Sequence, residues 1–500
     1  MLQSEPTAPK RGNVSPARSF VAVVAGLVLA TSSSCSPSEQ TDASDEPSIA
    51  GVDAPAAAAV ENHPHNVMIV VADDVGVEKI GVYAEHVNAG PTPTIDRMAT
   101  EGVLFRNVWS APTCSPTRAT ILTGRYPFNT KIGQYILLGP PNQVGLSLAE
   151  VTLPELLVGY ENAAVGKWHL SGTDANRGRE HTHPVASGFR YFAGSMGNLA
   201  GFRQGPEAGY LNWEKTTGIA GVNGPEATSE RVSTYATRDT VDEAIGRLDA
   251  LREPWLLYVG FNAPHSPLHV PPPEYRLTTR FADPRNPTTA EMHRAMMEVL
   301  DTELGRLLAH LKTLPAGERT TVIFLGDNGT QGPATEPPIR LDHAKGTLYE
   351  GGINVPLIIV SPLIAENDRG SESAALVSTR DIFATVAEIA GEIPALPRGE
   401  SISVVSYLED PSTMSQRALV HSELFTPNGD GPYTHYQLAV RDRRYKLLRT
   451  LCDGETEEFY DLETDPYENA NLLVDALTAR QTVSYTILAA ELDGKNRSCP

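Results

Sequence analysis

Cysteine is scarce, with four in 500 residues, at positions 35, 114, 452 and 499. That density excludes a scaffold built on disulfides, so the fold must rest on a buried apolar core. Basic charge is short as well: 40 Lys and Arg stand against 61 Asp and Glu, a formal net charge of −21. Nucleic acid needs a cationic face and is excluded as a partner. The apolar run Phe20–Ala30 has eleven residues, about half of what a bilayer-spanning helix requires. No internal repeat is found. The remainder is ordinary for a globular chain, 41% apolar and 20% charged, in a length that allows one large core and a smaller second unit.

The first residues read as an export signal. Lys10, Arg11 and Arg18 precede the run Phe20–Ala30, and small residues lead to Cys35. They resemble a loose lipobox, with Ser32 where leucine is usual. Two processings stay open: lipidation of Cys35, or an ordinary cut near Ser34. The expected organisation is a signal over 1–35, a disordered linker over 36–63, a large α/β unit over 64–400 and a C-terminal α+β unit over 401–500. The protein is expected to be exported, periplasmic or at the cell surface, touching membrane only through a lipid on Cys35. Export would also permit a Cys452–Cys499 disulfide.

Folded structure is expected from about His65. Asn66–Ala72, Val103–Trp109, Asn162–Leu170, Trp255–Asn262, Thr320–Leu325 and Val355–Val360 are short apolar runs of the kind buried on both faces of a parallel sheet. Helices are expected over Pro91–Gly102, Thr234–Leu251, Glu291–Leu311 and Arg380–Gly391. The Gly- and Pro-rich stretch Ser171–Ala227 reads as long loops, with His181 and His183 as solvated loop histidines. After Ser401 the pattern changes to short strands, Ala418–Ser422, Tyr436–Arg441 and Arg444–Arg449, then a helix over Ala476–Leu492, which suggests a small antiparallel sheet. The methionines of 291–311 read as core filler.

Ligands of open α/β sheets bind at the carboxyl ends of strands, and chemistry-bearing residues gather there in this chain. Asp73-Asp74 closes the first run, Lys167 and His169 the third, His265 the fourth, and Asp327-Asn328 the fifth. Adjacent buried carboxylates are costly without a positive partner, so Asp73-Asp74 suggests a metal. In a strand, residues two apart share a side, which would point Lys167 and His169 into one place. Asn328-Gly329-Thr330 fits a glycosylation sequon, a use that its strand-end position argues against.

Ser110–Arg125 holds the remaining pieces. Pro116 suits a first helical turn and Gly124 a left-handed C-cap. Cys114 would stand at the helix mouth, where backbone N–H groups favour an anion, with Arg118 one turn on. Three readings are open for Cys114: a thiolate nucleophile, a precursor for modification, or a buried structural thiol. Three carboxylates and an amide, without Cys or His pairs at zinc spacing, favour a hard oxygen-loving cation, calcium or magnesium. Lysines and an arginine beside a divalent cation suit a compact oxyanion, and histidines supply proton transfer.

Ala72-Asp-Asp-Val-Gly76, Thr92–Asp96, Cys114-Ser-Pro-Thr-Arg118 with Leu122-Thr-Gly-Arg125, Gly166–Leu170, Ala263-Pro-His265, Gly326–Gly329, Lys345–Gly352, Tyr445-Lys-Leu and Tyr460-Asp-Leu together resemble the sulfatase family over about Asn66–Leu473. The resemblance implies an alkaline-phosphatase-like α/β fold: a large, mostly parallel sheet sandwiched by helices, with a smaller C-terminal antiparallel sheet plus helix. It implies a sulfuric ester hydrolase acting on aryl or carbohydrate sulfates. Cys114 would become formylglycine through a formylglycine-generating or maturase enzyme. Asp73, Asp74, Asp327, Asn328 and the modified Cys114 would hold Ca2+. Arg118 would steady the hydrate, Lys167 and Lys345 bind sulfate, His265 protonate the leaving alcohol and His169 help expel sulfate. The family often has serine where this chain has Thr117. A formylglycine-dependent phosphonate monoester or phosphodiester hydrolase is the alternative on the same residues.

Overall fold

The computed structural model describes residues 65–86, 88–140, 143–173, 180–200, 208–275, 277–392, 400–452, 454–495 and 499. The expected signal and linker, Cys35 included, lie outside the described residues.

Ten strands build the main sheet: β1 (Asn66–Ala72), β2 (Val103–Trp109), β3 (Glu161–Gly166), β4 (Tyr191–Gly194), β5 (Trp213–Gly221), β6 (Gly224–Val232), β7 (Trp255–Gly260), β8 (Thr320–Gly326), β9 (Leu357–Val360) and β10 (Ser371–Ser378). Their order is β10-β2-β9-β8-β1-β7-β3-β4-β5-β6. The centre, β8-β1-β7-β3-β4, is parallel, and β9 runs antiparallel between β2 and β8. β1 shows why its sequence is continuously apolar. Val67, Ile69 and Val71 enter one core and Met68, Val70 and Ala72 the other.

Helices cover both faces. α1 (Pro93–Glu101), α3 (Ala236–Leu248) and α4 (Thr289–Leu311) pack on the second of these cores, and α2 (Cys114–Thr123) and α5 (Asp381–Ile389) on the first. α4 opens with a capping box: Thr288 Oγ1 accepts the Glu291 N–H at 3.2 Å, and the Glu291 carboxylate accepts the Thr288 N–H at 2.8 Å. Met296 and Met297 are core residues, as expected.

A second sheet, β11 (Val420–Thr426), β12 (His435–Arg441), β13 (Tyr445–Cys452) and β14 (Thr456–Asp461), is an antiparallel meander backed by α6 (Ala479–Asp493). Its strands β11 to β13 meet the main sheet at a small core of Trp109, Leu348, Ile353, Leu376, Val420, Ala439 and Leu448. Cys452 on β13 is bonded to Cys499, with 5.4 Å between their Cα atoms.

Three expectations fail. Ser171–Ala227 is not all loop: β4, β5 and the start of β6 lie in it, and β5 and β6 form a hairpin at the sheet edge. Edge strands with little buried surface carry little of the apolar pattern that marks a strand. The hairpin's signal was Asn223-Gly224, where Gly224 takes φ +116° at the turn. His181 and His183 are half-buried and bonded. His183 Nδ1 accepts the Trp168 indole N–H at 3.1 Å, and His181 Nδ1 lies 3.1 Å from Thr216 Oγ1. β3 stops at Gly166, whose φ of +82° turns the chain. Lys167 and His169 thus lie beyond the strand, and His169 itself is left-handed at φ +62°.

Candidate active site

Because β8, β1, β7 and β3 are adjacent and parallel, their carboxyl ends open on one place. Asp327 and Asn328 leave β8, Asp73 and Asp74 leave β1, His265 follows β7, and Lys167 and His169 follow β3. Cys114 joins them as the first residue of α2, which is buried along its whole length. The helix mouth is fastened by side chains: Ser115 Oγ accepts the Ile136 N–H at 3.0 Å, and Thr117 Oγ1 accepts the Ala111 N–H at 3.0 Å. A serine hydroxyl could make the second bond equally well, so the Thr117 departure is accommodated. Gly124 ends the helix left-handed at φ +69°.

The Cys114 Sγ is 3.3 Å from Asp73 Oδ1 and 3.5 Å from Lys345 Nζ. Lys167 Nζ donates to Asp73 Oδ2, and Lys345 Nζ to Asp74 Oδ1. Arg118 donates from Nε and Nη2 to Asp327 Oδ2 at 3.0 and 2.9 Å, and its Nη2 is 3.8 Å from Asp73. His265 Nε2 is 3.9 Å from Asp74 Oδ2. These contacts bring Cys114, Arg118, Lys167, His265, Lys345, Asp73, Asp74, Asp327 and Asn328 into one buried cluster. His169 flanks it.

The electrostatics follow from burial and charge. Burial opposes ionisation of Asp73, yet Lys167, His265, Arg118 and Lys345 hold its carboxyl well below the usual range. Burial, then the Asp73 charge, raises Asp327 to about 7. Burial, then Asp73 again, pushes the Cys114 thiol up to about 12. Burial and the Asp73 charge together oppose the helix mouth and the cations here, which weighs against the thiolate reading. Burial, then Lys345, lowers His265 to about 4. Burial, then Lys167, holds His169 well below its usual value, so its imidazole is neutral.

Tautomers can be read from the carbonyls. His169 Nε2 is 2.9 Å from the Ile136 carbonyl and must carry the hydrogen, which leaves Nδ1 a bare acceptor without a partner. His265 Nδ1 is 2.8 Å from the Ser266 carbonyl, so Nδ1 donates and Nε2 faces the cluster.

The donor set fits a hard cation. Asn328 Nδ2 donates to Asp74 Oδ1 at 2.8 Å and to the Gly329 carbonyl at 2.9 Å, which turns its Oδ1 away without a partner. Asp74 Oδ2 is likewise buried and unpartnered. Ligand atoms of Asp73, Asp74, Cys114 and His265 lie within 4.8 Å of one another. Asp327 is more occupied, since Oδ1 accepts the Asp74 N–H at 3.2 Å and Oδ2 takes Arg118. Bare buried oxygens among carboxylates are what calcium or magnesium satisfies.

Several supporting residues escaped the sequence reading. His293 Nε2 on α4 is 3.0 Å from the Asp74 carbonyl, and Thr330 Oγ1 accepts the Gly76 N–H at 3.2 Å. Tyr210 Oη lies 2.7 Å from the Asn262 carbonyl and 2.8 Å from that of His265, holding the His265 loop. His293 had a signal: it interrupts an apolar stripe, with Met296, Met297 and Leu300 following at helical spacing.

Comparison with known proteins identifies the family. The Sulfatase family model matches residues 65–392, and the model of the N-sulphoglucosamine sulphohydrolase C-terminal region matches residues 342–493. The chain is 32% identical over 427 residues to N-acetylgalactosamine-6-sulfatase of Canis lupus familiaris, covering 79% of this chain and 74% of that one. It is 26% identical over 459 residues to arylsulfatase J of Mus musculus, covering 82% and 73%. Among solved structures, one in complex with its substrate D-glucosamine-2-N,6-O-disulfate superposes with a TM-score of 0.64 at 19% identity, covering 86% of this chain and 98% of that one.

Proposed function

The chain belongs to the sulfatase family and is a sulfuric ester hydrolase, and from that premise we propose that its nucleophile is a formylglycine made from Cys114, its metal Ca2+ and its substrate a sulfated saccharide or an aryl sulfate. The observation that carries the proposal is the placement of Cys114. Its sulfur stands between Asp73 and Lys345 at the mouth of α2, and its thiol is held protonated. A protonated, fully buried thiol is a poor nucleophile, yet everything around it is arranged to receive an oxyanion. This contrast supports reading the encoded residue as a precursor. Formylglycine, as its hydrate, supplies an oxygen nucleophile toward sulfur and a second hydroxyl through which sulfate can be expelled; bound Ca2+ supplies positive charge that favours the ionised hydrate and polarises the sulfate.

The chain's own groups do the rest. Lys167 and Lys345 are the ammonium donors for sulfate oxygens, and Arg118 is fixed on Asp327 beside the nucleophile. His265 presents Nε2 to the cluster and protonates the departing oxygen. It is neutral as it stands, and the negative charge of an arriving sulfate ester monoanion raises it toward the protonated form. His169, with Nε2 tied to the Ile136 carbonyl, offers the bare Nδ1 as proton acceptor. In sum, ROSO3− and water give ROH and HSO4−. Asp73, Asp74, Asp327 and Asn328 are the proposed calcium ligands, together with the modified Cys114. The names of the relatives, N-acetylgalactosamine-6-sulfatase among them, support a saccharide substrate. Maturation by a formylglycine-generating enzyme, an export signal over 1–35 and a lipid on Cys35 belong to the same proposal.

Mass spectrometry of the Cys114 peptide from active enzyme tests it. The expected result is a peptide lighter than the thiol form and reactive with an aldehyde-specific hydrazide. An intact thiol in fully active protein would overturn the formylglycine reading.

A further inference from the structure

The turn after β1 carries two of the proposed calcium ligands, and four of its polar backbone atoms are held by distant parts of the chain. The Asp73 N–H donates to the Ala263 carbonyl after β7 at 3.1 Å. The Asp74 N–H donates to Asp327 Oδ1 after β8, and the Gly76 N–H to Thr330 Oγ1. The Asp74 carbonyl takes the remaining anchor, His293 Nε2 at 3.0 Å, from α4. Asp74 adopts φ +68°, a left-handed backbone that a residue with a Cβ keeps only when its surroundings impose it.

His293 is a costly way to fill that place in the core. It is fully buried on a helix face whose neighbours are Met296, Met297 and Leu300. Its Nδ1 has no hydrogen-bond partner. An apolar residue would pack there without an unpaired nitrogen. Among the described residues, the one hydrogen bond of the side chain is to the Asp74 carbonyl, 219 residues away in sequence. That contact fixes the peptide plane on the carboxyl side of Asp74, and with the N–H already fixed on Asp327, the direction of the Asp74 side chain is set. Its Oδ1 meets Asn328 and Lys345, and its Oδ2 is left bare toward the cluster.

We propose that His293 is a positioning residue of the cation site: by donating Nε2–H to the Asp74 carbonyl, it holds Asp74 left-handed and aims its free carboxylate oxygen at the ion. The inference rests on the reading of this cluster as a calcium site. His293 touches neither substrate nor ion, and acts through Asp74 alone. Groups that orient ligands in this way typically change metal affinity by about 10–100-fold when removed.

The test is calcium titration of purified, chelator-stripped full-length protein by calorimetry, in wild type, His293→Leu and His293→Gln, with the melting temperature of each stripped protein measured alongside. Glutamine can place an amide N–H where Nε2–H stands. The expected result is a calcium dissociation constant weakened about tenfold or more in His293→Leu and within about threefold of wild type in His293→Gln. The stripped Leu protein should melt no lower than the stripped Gln protein, so that the difference in affinity is not a difference in folding. Should the Leu variant fail to fold, His293→Met, unbranched and apolar, gives the same reading. Wild-type calcium affinity in the apolar variant would overturn the inference alone, as would equal weakening in the apolar and Gln variants. Absence of calcium binding in wild type, with Asp327→Asn no different, would overturn the calcium site and this inference with it.

Discussion

The cluster of buried charge at the strand ends and the one between the two sheets are built on opposite principles. At the strand ends, Asp73, Asp74 and Asp327 are gathered with Lys167, Lys345 and Arg118, but Asp74 Oδ2, Asn328 Oδ1 and His169 Nδ1 are left without partners. Between the two sheets, Glu350 is closed on every side. It accepts the Trp109 indole N–H at 3.0 Å, faces Lys446 at 3.2 Å and Arg441 at 3.4 Å, while Glu468 pairs with Lys446 at 2.7 Å and takes the Glu350 backbone N–H at 2.5 Å. A cluster that only has to hold sheets together pairs each of its carboxylates with a cation, Glu468 Oε1 through the Lys446 ammonium alone. One that has to bind something keeps acceptors in reserve, at a cost in stability that the surrounding core must cover.

The contrast predicts that substitutions in the two clusters fail in different ways. Cys114→Ala should lower kcat on 4-nitrophenyl sulfate by on the order of 10^4-fold or more, since the nucleophile's precursor is gone, while the melting temperature stays close to wild type. Retained turnover would break the assignment of the first cluster. Lys446→Met should do the reverse. It leaves Glu350 and Glu468 short of a cation in a buried place, a loss of about 3–5 kcal/mol by denaturant titration, with kcat per folded molecule little changed. Equal stability would mean that the second cluster is as open as the first.

Calcium sharpens the same comparison. Chelation should abolish activity, and restoring calcium to about 100 times its dissociation constant should return it and stabilise the fold by roughly 2.7 kcal/mol. The gain should vanish in Asp73→Asn and persist when the chain is intact at the first cluster and altered at Glu468. A calcium shift that survives Asp73→Asn would place the ion elsewhere.

Legibility from sequence divides along similar lines. β1 and β2 coincide with the apolar runs Asn66–Ala72 and Val103–Trp109, because strands buried on both faces have no choice but to be apolar. The β5–β6 hairpin does not announce itself, since an edge strand such as Gly224–Val232, mostly exposed, carries little apolar pattern. Residues at the tips of central strands were readable because the strand itself marks the place. Lys167 and His169 do reach the site, but by a left-handed turn past Gly166 rather than along a strand face, which alternation cannot foresee. His293, Tyr210 and Thr330 are tertiary partners of backbone atoms, and a carbonyl 219 residues away leaves no trace in local spacing. The saturation of Glu350 is equally hidden: Lys345–Gly352 was recognised as a motif, while the residues that close on Glu350 come from β2, β12 and β13.

The smallest expected effect concerns how the saturated cluster answers to pH. Burial, outweighing Lys446, raises Glu468 to about 7 from its ordinary value of 4.5. A carboxyl raised in the fold favours the protonated native state, so its contribution to stability is fully present below about pH 4.5 and is lost as pH rises through 7. Glu468→Gln, neutral at every pH, lacks that dependence. Relative to wild type it should therefore gain about 1–2 kcal/mol between about pH 5 and pH 8, read from denaturant midpoints at each pH. The direction discriminates between the clusters. Glutamate in a cluster that had kept acceptors for a cation would respond to added calcium at pH 8, and Glu468 should not. If the wild-type protein instead became more stable than the variant as pH rose, Glu468 would be held ionised by Lys446, and the second cluster would be a strong ion pair rather than one whose burial outweighs its pairing.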